Sequence, residues 1–321
     1  MSERRLVLGI GELLWDMLPG GPQLGGAPAN FAVMSGRLGN HAAVLSRLGR
    51  DALATRAIET LAPLPVDTAH IQIDPAHATG SVSVTLRDGQ PSYVIHQPVA
   101  WDALEATPEW EQLAARAAAI CFGTLAQRSE HSRTTIQSLV AGTPAACVRV
   151  FDANLREPFY TAEVLAESID LATILKVNDA ELPLVMRTLD LISGPEDLAP
   201  GPTTEPTTDS LLGSARVLLG EYGMQLICIT RGGQGSLLLG RKGEHIHPGV
   251  SVKIADTIGA GDAFTAALTH YYLEGASLAM MNEAGNRWGS WVASQPGAMP
   301  PLSDEVRESI ATEISSGKQG K

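Results

Sequence analysis

The sequence predicts an α/β fold: a three-layer α/β/α core around a mainly parallel sheet, with a small β-sheet flap. Two observations carry that expectation. Short apolar runs of strand length alternate with helical patterns along most of the chain, as strands covered on both faces by helices do. Two regions, 80–94 and 193–209, break the rhythm, and the first is the informative one. There residues 81–86 alternate, Asp88-Gly89 is a hairpin turn, and residues 92–95 return, which predicts an antiparallel hairpin inside an otherwise parallel architecture.

Taken in order, residues 6–10, 42–45, 118–122, 147–151, 173–177 and 226–230 read as buried strands. Residues 28–38, 52–61, 129–140, 162–169, 180–189, 211–222 and 263–273 read as helices. The region 12–19 supplies a further strand to the flap. The segment 193–209 holds Pro195, Pro200, Pro202 and Pro206 among several threonines, a loop composition to which no chemistry is assigned.

Of the 321 residues, 44% are hydrophobic, enough to bury a substantial core in one large domain or two modest ones. The net charge of −12 opposes general binding to nucleic acid or to an anionic membrane. Cys121, Cys147 and Cys228 are widely spaced and odd in number, which argues against disulfides and against a zinc site and for reduced thiols in a cytoplasmic setting. No apolar run is long enough to read as a signal peptide or a membrane span.

The most informative stretch is Asp256-Thr257-Ile258-Gly259-Ala260-Gly261-Asp262-Ala263-Phe264. Small residues at the start of a helix leave N–H groups uncovered, and with the helix dipole behind them they form an anion site. A carboxylate placed there is out of keeping unless it takes a proton, which suggests phosphoryl transfer. An Asp-capped helix after a glycine turn fits the same residues.

Other glycine-rich turns are weighed the same way. Gly9-Ile10-Gly11 follows the first strand, but a dinucleotide fingerprint needs a third glycine where Leu14 stands. Residues 235–242 lack the Gly-Lys-Ser/Thr order of a phosphate-binding loop. Gly25-Gly26-Ala27-Pro28-Ala29-Asn30 opens a helix, and with Asp16 upstream it suits the vicinal hydroxyls of a sugar; an ordinary helix start fits too. Asp152-Ala153-Asn154-Leu155-Arg156 leaves a strand end, where open parallel sheets bind ligands. Arg156 there could hold an anion, or pair structurally with Asp152. Asn178 and Glu181 read either as a capping box or as oxygen donors for hydrated Mg²⁺. His245 and His247 alternate in a strand with His270 downstream; no metal pattern completes them, and surface positions are expected. Trp288 and Trp291 share a helix face that reads as core, ahead of a nucleotide-pocket wall.

Together these residues resemble the ribokinase-like sugar kinases of the phosphofructokinase-B type, bacterial fructokinases most closely. The resemblance runs over almost the whole chain, through Gly11-Glu12-Leu13 with Asp16, the turn at Gly25 to Asn30, Thr79-Gly80, Asp152 to Arg156, Lys176 to Glu181, Thr230-Arg231-Gly232-Gly233-Gln234-Gly235 and the stretch at Asp256. It implies a single domain over 1–321 with lid strands from about 12–19 and 80–97. It implies Asp262 as the base and the N–H groups of Gly259, Ala260 and Gly261 as the anion hole. Asp16, Gly26 and Asn30 would bind sugar, with Arg156 holding an anionic group. Lys176, Asn178, Thr230, Gly232 and Asn286 would line the ATP site. Asn178 and Glu181 would organise Mg²⁺ through water, and Asp256 matches a position that in some members ligates K⁺. The implied activity is ATP-dependent phosphorylation of a primary hydroxyl, fructose to fructose 6-phosphate as first choice. Ribose, 2-keto-3-deoxygluconate and a nucleoside are the rival substrates, Arg87 and Arg128 being cations an acid sugar would want. A homodimer through the lid is also implied. A sugar- or nucleotide-binding protein without catalysis is the rival of another class. Two departures stand out: Glu157-Pro158-Phe159-Tyr160 after Arg156 is less basic and polar than in close fructokinases, and 193–209 looks like an insertion.

Overall fold

The computed structural model describes residues 4–18, 20–87, 90–192 and 206–317. The hairpin turn Asp88-Gly89 and most of the Pro-rich segment lie outside them. In chain order the elements are β1 (Leu6–Ile10), β2 (Leu14–Leu18), β3 (Gly21–Gly25), α1 (Ala27–Arg37), β4 (His41–Leu45), β5 (Arg47–Gly49), α2 (Ala52–Leu61), β6 (Gln72–Asp74), β7 (Gly80–Arg87) and β8 (Gln90–Ile95). Then come α3 (Pro108–Ala114), β9 (Ala119–Gly123), α4 (Glu130–Ala141), β10 (Val148–Asp152), α5 (Ala162–Leu171), β11 (Ile174–Asn178), α6 (Glu181–Thr188), α7 (Thr208–Tyr222) and β12 (Leu226–Thr230). The last are β13 (Ser236–Gly240), β14 (Gly243–His247), α8 (Ala260–Leu273), α9 (Leu278–Ala293) and α10 (Asp304–Ser316).

Eight strands form the main sheet in the order β14-β13-β12-β11-β10-β9-β1-β4. From β4 to β12 every pairing is parallel; β13 and β14 fold back antiparallel at one edge. Alternate residues of one strand enter two different cores, the signature of a sheet covered on both sides. On β9, Ile120 and Phe122 pack with Leu139 of α4 and Leu165 of α5, while Ala119 and Cys121 pack with Phe31 of α1, Phe264 of α8 and Trp288 of α9. The three thiols are buried and unbonded, as their spacing implied.

The lid is a four-stranded sheet in the order β3-β2-β7-β8. The flap read at 80–94 is β7 and β8, and the strand expected at 12–19 is β2. β3 was not foreseen: Gly-Pro-Gln-Leu-Gly has little strand propensity, and pairing with β2 makes it a strand.

Gly9 owes its identity to packing. A Cβ there would lie 2.1 Å from the carbonyl oxygen of Pro28, so the glycine lets α1 sit directly on β1. The expectation for the histidines is corrected in part. His247 is 2% exposed, its Nε2 lying 2.8 Å from Glu283 on α9 and its Nδ1 accepting the Gly249 N–H at 2.9 Å. A strand at the sheet edge would leave it exposed, but α9 packs across that face. Trp288 is core, set edge-on to Trp291.

Candidate active site

The loop before α8 is tied down at both ends. Asp256 accepts the N–H of Ile258 at 3.0 Å through Oδ1 and of Gly297 at 3.1 Å through Oδ2. Gly259 sits at φ 77°, in the left-handed region, with Ala298 2.7 Å from where a Cβ would fall, so only glycine fits. α8 then begins. Among the described residues, the N–H groups of Gly259, Gly261 and Asp262 meet no acceptor, whereas Ala260 closes a turn on Thr257 O at 3.3 Å. The donor set therefore differs by one from the expected trio: Ala260 is engaged, and the N–H of Asp262 itself is open.

Asp262 is half-buried, and its Oδ2 accepts a 2.7 Å hydrogen bond from Asn30 Nδ2. Its pKa is raised to about 6, by burial first and then by the Asp152 charge, with Asn30, Lys176 and Arg156 pulling the other way. A carboxylate so placed is poised to accept a proton near neutral pH.

Asn30 comes from the glycine turn. Gly26 has φ 115°, and a Cβ on it would strike Glu12 O at 2.3 Å, so the turn lies directly on the end of β1. Asn30 N then bonds Gly26 O at 3.0 Å, closing the first turn of α1. Asp16 projects from β2, its Oδ2 3.0 Å from the Cβ position of Gly25. Its pKa is raised by burial, countered by Arg156 and reinforced by Asp256, so these three share one electrostatic neighbourhood. Arg156 is exposed, and its charge reaches Glu12, Asp16 and Asp262.

Beneath the first turn of α8 lies an arrangement that motif reading did not assign. Lys176 Nζ donates to Asp152 Oδ1 at 3.0 Å, and Thr265 Oγ1 donates to Asp152 Oδ2 at 3.1 Å. Both charges are buried. Burial opposes the Lys176 charge, but Asp152, Glu181 and Asp262 outweigh it and raise its pKa. Lys176 Nζ lies 3.2 Å from the Cβ position of Gly261, which brings the ammonium against the same turn as the open N–H groups. Asp152 and Lys176 stand 24 residues apart, and only their adjacent strands bring them together.

Asn178 and Glu181 form the capping box. Asn178 Oδ1 accepts from Glu181 N at 2.8 Å, and Glu181 Oε2 accepts from Asn178 N at 2.8 Å. Glu181 Oε1 also takes Leu155 N at 2.9 Å. Each carboxylate oxygen thus holds a backbone N–H and keeps a lone pair, a donor set that fits water around a cation better than direct ligation. Thr230 ends β12 beside Asn178, and Gly232 follows at φ 52° in the turn to β13. Asn286 does not offer a free amide: it is buried, with Nδ2 donating to Ser236 Oγ at 2.7 Å and Asn282 O at 2.8 Å. It braces β13 through these bonds.

Arg128 is not in this site. It makes a bidentate pair with Asp102, at 2.8 Å on both bonds, and stacks 4.0 Å over Trp101. The side chain of Arg87 lies outside the described residues.

A lid beside an α/β core, with an aspartate at an open helix start, describes a kinase of the ribokinase-like fold. Residues 22–305 match the model of the pfkB family carbohydrate kinases. The chain belongs to that family and is an ATP-dependent carbohydrate kinase. It is 29% identical to fructokinase-1 of Zea mays over 94% of this chain and 96% of that one, and 29% identical to the fructokinase of Escherichia coli over 91% and 94%. The crystal structure of an uncharacterized sugar kinase from Pyrococcus horikoshii superposes with a TM-score of 0.78 at 28% identity, covering 96% of this chain and 99% of that chain.

Proposed function

We propose that the enzyme phosphorylates fructose on its primary hydroxyl, giving fructose 6-phosphate. The Asn30–Asp262 hydrogen bond carries the reading, because it joins the glycine turn to the base. The likeness to maize and E. coli fructokinases supports the choice of sugar.

Asp16, Gly26 and Asn30 bind the sugar, and Arg156 holds an anionic group. Asp262 takes the hydroxyl proton as the sugar oxygen bonds to the γ-phosphorus and the bond to the ADP oxygen breaks. The N–H groups of Gly259, Gly261 and Asp262 receive the phosphoryl charge, with the Lys176 ammonium behind them. Thr230 and Gly232 shape the nucleotide turn, braced by Asn286. Mg²⁺, when bound, would neutralise phosphate charge, and Asn178 and Glu181 would hold it through water. Asp256, with both oxygens on backbone N–H groups, shapes the loop that would take K⁺. A homodimer through the lid and a cytoplasmic setting complete the reading.

Arg128, paired with Asp102, gives no cation to an acid sugar, but Arg156 near Asp16 and Asp262 does, so 2-keto-3-deoxygluconate stands as a rival beside ribose and nucleosides. ADP release across a sugar panel, with and without K⁺, tests the assignment: fructose should give the highest kcat/KM, and a higher value for ribose or a nucleoside would replace it.

A further inference from the structure

Glu12 is a buried carboxyl that the transfer described above leaves without a part. It follows β1 and is 4% exposed. Its Oε1 accepts the Ala27 N–H at 3.3 Å, and its carbonyl underlies Gly26, so it grips the glycine turn from below. Its Oε2 is buried and has no hydrogen-bond partner. Glu12 lines a small, partly open cavity of about 10 Å³ together with Cys121, Asp152, Asn154 and Asp262. That is the volume of a single water molecule.

Burying a carboxylate with one oxygen undonated disfavours its charged form. The groups around it pull in both directions: the N–H groups of Glu12 itself and of Ala27 and the charge of Arg156, beyond β10, favour ionisation, while Asp262, from α8, opposes it. Asp152, on β10, is paired with Lys176. Cys121, on β9, is held by burial well above the usual thiol range and brings no charge. Burial, with the Asp262 charge adding to it, raises the pKa of Glu12 to about 7.

We infer that Glu12 is a positioning residue that works as an uncharged acid, holding the Gly26–Ala27 turn through Oε1 and leaving Asp262 to carry the negative charge that faces the sugar hydroxyl. This rests on the sugar-kinase reading of the site. Glu12 acts through the turn that it holds. When it ionises above neutral pH, a second negative charge stands beside Asp262 and before the incoming phosphoryl group, and activity falls.

The test compares wild type, E12Q and E12A in fructose kinetics from pH 5.5 to 9. E12A should raise the fructose KM by about tenfold or more, with the ATP KM nearly unmoved. E12Q, uncharged and of the same shape, should recover most of that loss. It should also lack the alkaline fall, so that its kcat/KM relative to wild type rises at least about threefold between pH 6.5 and 8.5. An E12Q profile with the wild-type alkaline limb overturns the inference, as does an E12Q as poor as E12A at every pH. Urea unfolding adds a readout that needs no substrate. A carboxyl whose folded pKa is raised weakens the fold progressively as pH climbs from about 4.5 to about 7. The urea midpoint of E12Q should therefore gain on wild type between pH 5 and 8, and a constant difference overturns the uncharged state. If that gain appears while no sugar is phosphorylated, the kinase reading fails and the protonation of Glu12 stands.

Discussion

Asn30 Nδ2 donates to Asp262 Oδ2 at 2.7 Å, across 232 residues of sequence. The bond fixes the carboxylate and stabilises its ionised form, opposing the burial that raises its pKa to about 6. Activity needs that ionised form, so kcat/KM should fall as pH drops through about 6. Asn30→Ala removes a stabiliser of the charge, so its acid limb should move to higher pH while the fructose KM rises. An acid limb that stays in place would show that the bond does not govern the base.

Asp262→Ala should lower kcat by roughly 10²–10⁴, the usual worth of a general base, with sugar binding largely kept. Steady-state kinetics with a calorimetric titration of sugar separates the two. Turnover near the wild-type rate would remove Asp262 from its role.

Lys176→Met leaves Asp152 buried and unpaired, which should cost about 3–5 kcal/mol in urea unfolding. Adding Asp152→Asn should restore much of the stability. It should not restore turnover if the ammonium serves the phosphoryl group. A double variant that regains both would make Lys176 structural only.

Glu181→Gln keeps the shape but sets an amide against backbone donors at Leu155 and Asn178. It should lower stability by roughly 1–3 kcal/mol and raise the Mg²⁺ concentration for half-maximal rate. An unchanged Mg²⁺ dependence would confine Glu181 to its capping role.

Gly285→Ala places a methyl 2.7 Å from the Phe264 ring, at the tight contact of α8 with α9. Overpacking of this kind costs about 1–3 kcal/mol, and the strain falls on the helix that carries Asp262. Both the thermal midpoint and kcat should drop; a lowered midpoint with kcat intact would mean that α8 keeps its register.

The sheet was legible because its strands are buried on both sides and stand between amphipathic helices. Local pattern carries that information. β3 was not legible, since Gly21, Pro22 and Gly25 argue against a strand and only β2 makes one. His247 misled for a related reason: period-two alternation says which residues share a face, not whether another element covers that face. In the site, the glycine turn and the Asp262 stretch could be found because backbone conformation restricts the residues allowed there. The Asp152–Lys176 pair could not, because each residue alone is an ordinary strand end. Glu12 stood in a quoted motif, but its unpartnered oxygen is a property of packing.

Asp16 lies on β2, a strand of the lid, whereas Asp262 lies on the core. On the roles proposed for them, a substrate reaching from one to the other is also the strut that draws the roof down. The length of the acceptor would then matter: a molecule too short to reach from one aspartate to the other, water above all, would leave the roof up and the base idle. Discrimination against wasteful ATP hydrolysis would then come from geometry, with no separate gate.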